Sequence, residues 1–302
     1  MSHHQNHNHS PSDYNRAFAI GVALNVIYIV VEVTYGFLAG SLALLADAGH
    51  NLSDVLGLLL AWGANYLVQR KPTERHTYGW RKSTILAALT NAIILLVAMG
   101  GIAWEAVQRF SDPSPVAGKT VIIVAAIGVV INTATALLFL SGRKTDLNIR
   151  GAFLHMAADA GVSAGVVLAG VVILTTGWPW IDPVVSLTIT AIILVGTWGL
   201  LRDSFNLALD AVPAGIDPEA VKTYLSDLPG VTGVHDLHIW AMSTSETALT
   251  VHLLKPDARD DDTLIEQASR ELHDRFGIEH ITIQWERRPE LDHCGSSCQI
   301  NV

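Results

Sequence analysis

The chain has 302 residues, of which 50% are apolar and only 16% charged, with a formal net charge of −9. Ordinary soluble domains carry roughly a quarter charged residues, so a wholly soluble globule is excluded, and the acidic balance speaks against a nucleic-acid partner. The charges are also unevenly spread. Apolar stretches run to about Phe205, and the polar remainder of about 90 residues is long enough for a small soluble core.

In chain order, residues 1–15 form a polar tail with His3, His4, His7 and His9. Interrupted His tracts of this kind can bind metal weakly, with a disordered leader as the competing reading, and no cleavable signal peptide is expected, because the N-terminus is polar and the first apolar stretch is too long for one. A bilayer core takes about 20 helical residues. Six stretches reach that length, at about 16–38, 42–68, 83–109, 117–141, 147–175 and 182–205. They exceed strand length and do not alternate, so they are expected to be helices within a six-span transmembrane domain, residues 16–210. Arg16, Arg70, Lys71, Arg75, Arg81, Lys82, Arg143, Lys144, Arg150 and Arg202 flank one side, and only Arg109 and Lys119 the other. The positive-inside rule then places both termini in the cytoplasm of a cell whose plasma (inner) membrane holds the protein. Trp178 and Trp180 fit an outer interfacial belt.

After the sixth span, Asp217 is a plausible N-cap for a helix to about Leu228. Strands are predicted near 231–242 and 246–255, a helix over 262–276 and a strand over 278–286. This αββαβ order predicts an α+β cytoplasmic domain, residues 211–288, followed by a tail, residues 289–302, with Cys294 and Cys298. Reducing conditions keep such thiols free of disulfides.

Ionisable residues inside a spanning helix are costly and are functional candidates by default. The second span holds His50-x-x-x-Asp54 and the fifth His155-x-x-x-Asp159. Residues at i and i+4 share a helix face, so two facing helices offer two imidazoles and two carboxylates. That N₂O₂ set suits four-coordinate Zn²⁺. Ligands shed protons when metal binds, so the same four residues imply metal–proton exchange, with the histidines as carriers near neutral pH. Asp47, one turn before His50, is expected to orient it or relay protons. Asn25, Glu32 and Asn132 are expected to make hydrogen bonds between helices.

The stretches Ser41–His50, His76-Thr77-Tyr78-Gly79-Trp80, Leu154–Asp159 and Val234–Trp240 resemble the cation diffusion facilitator family, in particular bacterial zinc exporters and eukaryotic zinc transporters. The resemblance spans about residues 14–290. It implies a homodimer of six-span protomers in a lipid bilayer, a ferredoxin-like cytoplasmic domain, and proton-coupled export of divalent cations by alternating access. It also points to a cytoplasmic Zn²⁺ site of His235, His252 and Glu286, completed by Cys294 and Cys298, and to an interlock of Lys82 with Asp210. Two departures stand out. The link between the fourth and fifth spans has no long His-rich loop, and Trp80 replaces a His that some members use with the equivalent of His76, leaving His76 a weak metal candidate. Within the soluble domain, His235 and His238 are three apart, so regular strand alternation sends them to opposite faces. His252 on the neighbouring strand can approach His235, and Gln284 and Glu286 share a face.

The function expected is zinc efflux by proton antiport, without enzymatic activity. Two other readings compete. One is a membrane metal sensor or scaffold that does not transport; the other is a transporter for Cd²⁺, Co²⁺, Ni²⁺ or Fe²⁺, since N₂O₂ ligands admit those ions. An intramembrane metallohydrolase would need an open metal position and a general base, and no His-Glu-x-x-His is present.

Overall fold

A computed structural model describes residues 11–138, 140, 147–257 and 262–287. Six long helices come first: α1 (Pro11–Ala39), α2 (Leu42–Val68), α3 (Ser83–Gln108), α4 (Gly118–Leu138), α5 (Leu147–Thr176) and α6 (Ile181–Ala208). A smaller mixed region follows: α7 (Pro218–Ser226), β1 (Gly233–Ala241), β2 (Thr247–Leu254), α8 (Asp262–Phe276) and β3 (His280–Glu286). Among the described residues, four helical stretches are long and apolar enough to cross a membrane: Ser83–Gln108, Gly118–Leu138, Arg150–Thr176 and Ile181–Ala208; Ala23–Ala39 is a shorter apolar helix. Helix α2 is not among the four, because Asp47, His50, Asn51 and Asp54 interrupt its apolar run.

The chain divides into two units, one made of residues up to Leu59 with Asn91–Gly199, the other of Leu60–Thr90 with the residues from Leu200 on. In the first unit, Tyr28, Leu44, Met99, Val121, Val166 and Ile189 share one buried apolar cluster. Helices α4 and α5 touch backbone to backbone. A Cβ on Gly118 would stand 3.0 Å from the Gly170 carbonyl oxygen, so small residues set this approach, as in membrane helix pairs generally. Helix α1 ends at Gly40, whose φ of +64° closes the turn. Ser41 then caps α2, its Oγ accepting from Leu44 N at 3.2 Å and donating to Asp182 Oδ1 at 2.6 Å. Asp182, in the first turn of α6, also accepts from Leu42 N at 2.7 Å and pairs with Arg109 at 3.8 Å. A carboxylate thus stands at the positive end of α2, 140 residues away in sequence.

In the second unit, β1 pairs antiparallel with β2, and β2 pairs parallel with β3, in the order β1-β2-β3. The parallel step requires a crossover, which α8 supplies. Val221 and Leu225 of α7, Leu249, Val251 and Leu253 of β2, and Ala268 and Leu272 of α8 form its buried core. Asp217 does cap α7, accepting from Glu219 N at 3.0 Å and Ala220 N at 3.4 Å. The start of α3 is bonded to the sheet region: Arg81 pairs with Glu246, and Thr244 N donates to Thr84 Oγ1 at 3.0 Å.

The ladder corrects the expectation that His235 and His238 face opposite ways. His235 lies opposite His252, and His238 opposite Thr250. Those partners are two apart on β2, so both histidines share a face. The extra residue on β1 is a bulge, marked by Asp236 at φ +52°, and a bulge breaks the period-two alternation on which the expectation rested.

Candidate metal centre

Helices α2 and α5 each carry His and Asp one turn apart, and the first unit brings the two faces together. His50 Nε2 lies 3.8 Å from Asp54 Oδ2 and 3.4 Å from Asp159 Oδ1. His155 Nε2 lies 3.0 Å from Asp54 Oδ2 and 3.7 Å from Asp159 Oδ2. Each imidazole therefore stands between both carboxylates, in an alternating ring of nitrogen and oxygen. A tetrahedral zinc ion with ligand distances of about 2.0–2.1 Å sets its donors about 3.3–3.4 Å apart; His50, His155 and Asp159 offer one donor atom each that all lie within 4.8 Å of one another, and Asp54 adjoins that group through the two imidazoles. The site is buried on one side and open on the other: the Asp159 side chain is 3% exposed, His155 42%. At 3.0 Å, His155 and Asp54 share a hydrogen bond, hence a proton, which an entering cation must displace.

Asp47 stands apart from this ring. Its Oδ2 accepts from Ser163 at 2.9 Å, and no hydrogen bond links it to His50, whose buried Nδ1 has no partner. The neighbour of Asp47 in charge is instead Glu32 of α1. Glu32 accepts from Tyr28 at 2.9 Å and from Asn51 of α2 at 3.2 Å. Gly128 of α4 admits this network, since a Cβ there would stand 2.2 Å from Tyr28 Oη. The interhelical bond expected of Glu32 is present. Asn25 of α1 donates to Met156 Sδ of α5 at 4.0 Å, an interhelical bond as expected, whereas both amide atoms of buried Asn132 lack partners among the described residues, contrary to expectation. Sequence reasoning missed the pairing of Glu32 with Asp47 and the reach of Asp182 to α2, because neither partner lies at a helical spacing from the other.

The second unit holds a smaller cluster. Glu286 of β3 is buried and accepts from both histidines: His235 Nε2 at 2.9 Å and His252 Nδ1 at 2.8 Å. The two rings are 5.3 Å apart. His252 lies opposite His235 across one ladder and opposite Gln284 across the other, which puts Glu286 two residues along on the same face. Asp236, which sequence reasoning did not single out, binds His238 at 2.9 Å and lies 3.7 Å from His252 Nε2. Cys294, Cys298 and the N-terminal histidines His3, His4, His7 and His9 fall outside the described residues. His76 stacks on Trp80 with ring centres 4.3 Å apart and joins no metal-sized group among the described residues. Lys82 Nζ donates to Asp210 Oδ1 at 2.6 Å, both side chains being about half exposed.

Apolar helices of membrane-crossing length, followed by a small sheet domain, define an integral membrane protein of helical spans. A family profile described as the cation efflux transmembrane domain matches residues 18–207, and one described as the cation efflux protein cytoplasmic domain matches residues 213–288. The chain belongs to the cation diffusion facilitator family, in its zinc-exporter branch. It is 39% identical to the zinc transporter ZitB of Escherichia coli (strain K12), over 100% of this chain and 96% of that protein. It is 34% identical to the cadmium, cobalt and zinc/H(+)-K(+) antiporter of Bacillus subtilis (strain 168), over 97% of this chain and 96% of that one. Among solved structures, the metal-bound C-terminal domain of the CzcD transporter from Cuprividus metallidurans is 36% identical; the match covers 24% of this chain and 99% of that chain, with a TM-score of 0.22.

Proposed function

We propose that this chain exports zinc from the cytoplasm in exchange for protons, carrying it through His50, Asp54, His155 and Asp159. The observation that carries this reading is the alternating ring of two imidazole nitrogens and two carboxylates with edges of 3.0–3.8 Å. Relatives named as a zinc transporter and a zinc/H(+)-K(+) antiporter support it. Zinc displaces the proton between His155 and Asp54, so loading and deprotonation are one event, and protons returning from the far side release the ion. A sensor that never transports has no need of two His–Asp pairs facing each other within its spans.

The reading extends to the whole chain. Residues 16–210 form a transport domain of six spans, with α1 and α2 completing the four most apolar, and the Lys and Arg flanks keep both termini cytoplasmic in the plasma (inner) membrane. Residues 211–288 form a ferredoxin-like regulatory domain with its own zinc site at His235, His252 and Glu286, joined by Cys294 and Cys298 of the tail 289–302. Two protomers form a homodimer, supported by the match to a cytoplasmic domain of dimerising type, and Lys82 with Asp210 steadies it. Proteoliposome flux tests the core of this. Asp54→Ala and Asp159→Ala each abolish zinc uptake driven by a pH gradient, and wild-type uptake in either variant refutes the four-ligand site. Parallel runs with Cd²⁺, Co²⁺, Ni²⁺ and Fe²⁺ rank the ions.

A further inference from the structure

Beside the metal ring lies a second ionisable pair with different surroundings. Glu32 and Asp47 are both fully buried, and the hydroxyls bonded to them, Tyr28 Oη and Ser163 Oγ, both lie against Gly128, which brings the two carboxyls close together. The groups that hydrogen-bond them are neutral: Tyr28 and Asn51 to the two oxygens of Glu32, Ser163 to Asp47 Oδ2. Asp47 Oδ1 is buried with no donor at all. Two adjacent carboxylates in a dry interior, without a cation bonded to them, cannot both stay ionised. A proton held by the pair supplies the donor that the orphaned oxygen lacks. Near neighbours include His50 and Asp159, which act on Asp47 through their charges; on α4, Gly128 lies against Tyr28 and Ser163.

We propose that the Glu32–Asp47 pair is a proton site separate from the metal ligands, and that it carries one of the protons exchanged for each zinc ion. This rests on the transport reading above. When a dication sits in the ring, its charge favours the ionised pair and the proton leaves. When the dication departs, the pair takes a proton back. The coupling runs through space and through the α2 backbone, since Asp47 lies one turn before His50 and Asn51 directly after it.

The test uses the full-length protein, purified and reconstituted, with zinc as the probe. Proton release on zinc binding is measured calorimetrically in buffers of different ionisation heat. Flux is measured twice, as zinc uptake driven by a pH gradient and as zinc–zinc exchange at equal pH. Glu32→Gln is expected to release about one proton fewer per zinc and to lose about 10–100-fold in gradient-driven uptake, while zinc–zinc exchange persists. Glu32→Asp, which keeps a carboxyl, restores part of the gradient-driven uptake. Wild-type proton release together with wild-type gradient-driven uptake in Glu32→Gln overturns the proposal. If that variant misfolds, Tyr28→Phe decides. It removes one donor to the ionised Glu32 and leaves both carboxyls, so the pH of half-maximal flux moves up; an unmoved midpoint overturns the proposal. Failure of the four-ligand reading looks different, because there Asp159→Ala would still bind and carry zinc.

Discussion

The two His–carboxylate clusters of this protein are built from the same side chains on different scaffolds. In the helical cluster each of two helices supplies His and Asp one turn apart, and every nitrogen faces two oxygens from both helices at 3.0–3.8 Å. In the sheet cluster three neighbouring strands supply one residue each, and a single glutamate takes both histidines at 2.8–2.9 Å. The first arrangement closes a four-donor ring. The second leaves a three-donor face at the surface, with the His235 side chain 51% exposed. Helical spacing gives four side chains that converge from two helices. Strand pairing gives an open three-donor clamp.

The sharpest way to separate the clusters is to disable the open one alone. Glu286→Gln removes the oxygen that both histidines share, and zinc affinity at the sheet site is expected to fall about 100-fold, on the scale of losing a strong ligand contact of roughly 2–3 kcal/mol. Titration of the full-length protein reads this, and the transport ring keeps its own zinc stoichiometry. Loss of both binding events would mean the clusters are not independent.

A smaller effect is expected at Lys82. The pair with Asp210 is well exposed, so solvent screening limits it to at most about 1 kcal/mol. Lys82→Ala is expected to lower transport about fivefold without removing zinc from either cluster. Exchanging the charges, with Lys82→Asp and Asp210→Lys, restores only part of it, since position 210 has φ +61° and tolerates a long side chain poorly. Undiminished flux in Lys82→Ala ends the idea of an interlock. The least effect belongs to Asp236→Asn. At 3.7 Å from His252 Nε2 the carboxylate is beyond hydrogen-bond reach, so sheet-site affinity is expected to change about twofold or less. A loss as large as that of Glu286→Gln would promote Asp236 to a ligand.

Much of this was legible in the order of residues. Apolar length located the long helices to within a few residues of their ends, and the αββαβ order of the sheet domain follows from its alternation of patterns. The capping role of Asp217 was readable because a cap and its helix are adjacent. His238 misled, because a bulge is a property of two strands and leaves no mark in one. Glu32 read only as a hydrogen-bonding residue between helices. Its partner Asp47 became visible when α1 and α2 were packed with Tyr28 against Gly128.

The sequence by itself therefore determined what each element presents: His50 with Asp54 on one face, His155 with Asp159 on another, and a buried carboxylate at Glu32. Periodicity is a local property, and it decides which side chains share a face. Tertiary structure decided which faces meet. It closed the two motifs into a ring, set Glu32 against Asp47, brought Asp182 to the start of α2 across 140 residues, and turned His235 and His238 to the same side. Those outcomes depend on packing between elements distant in sequence, where a single Cβ at Gly118 or Gly128 would change what can touch.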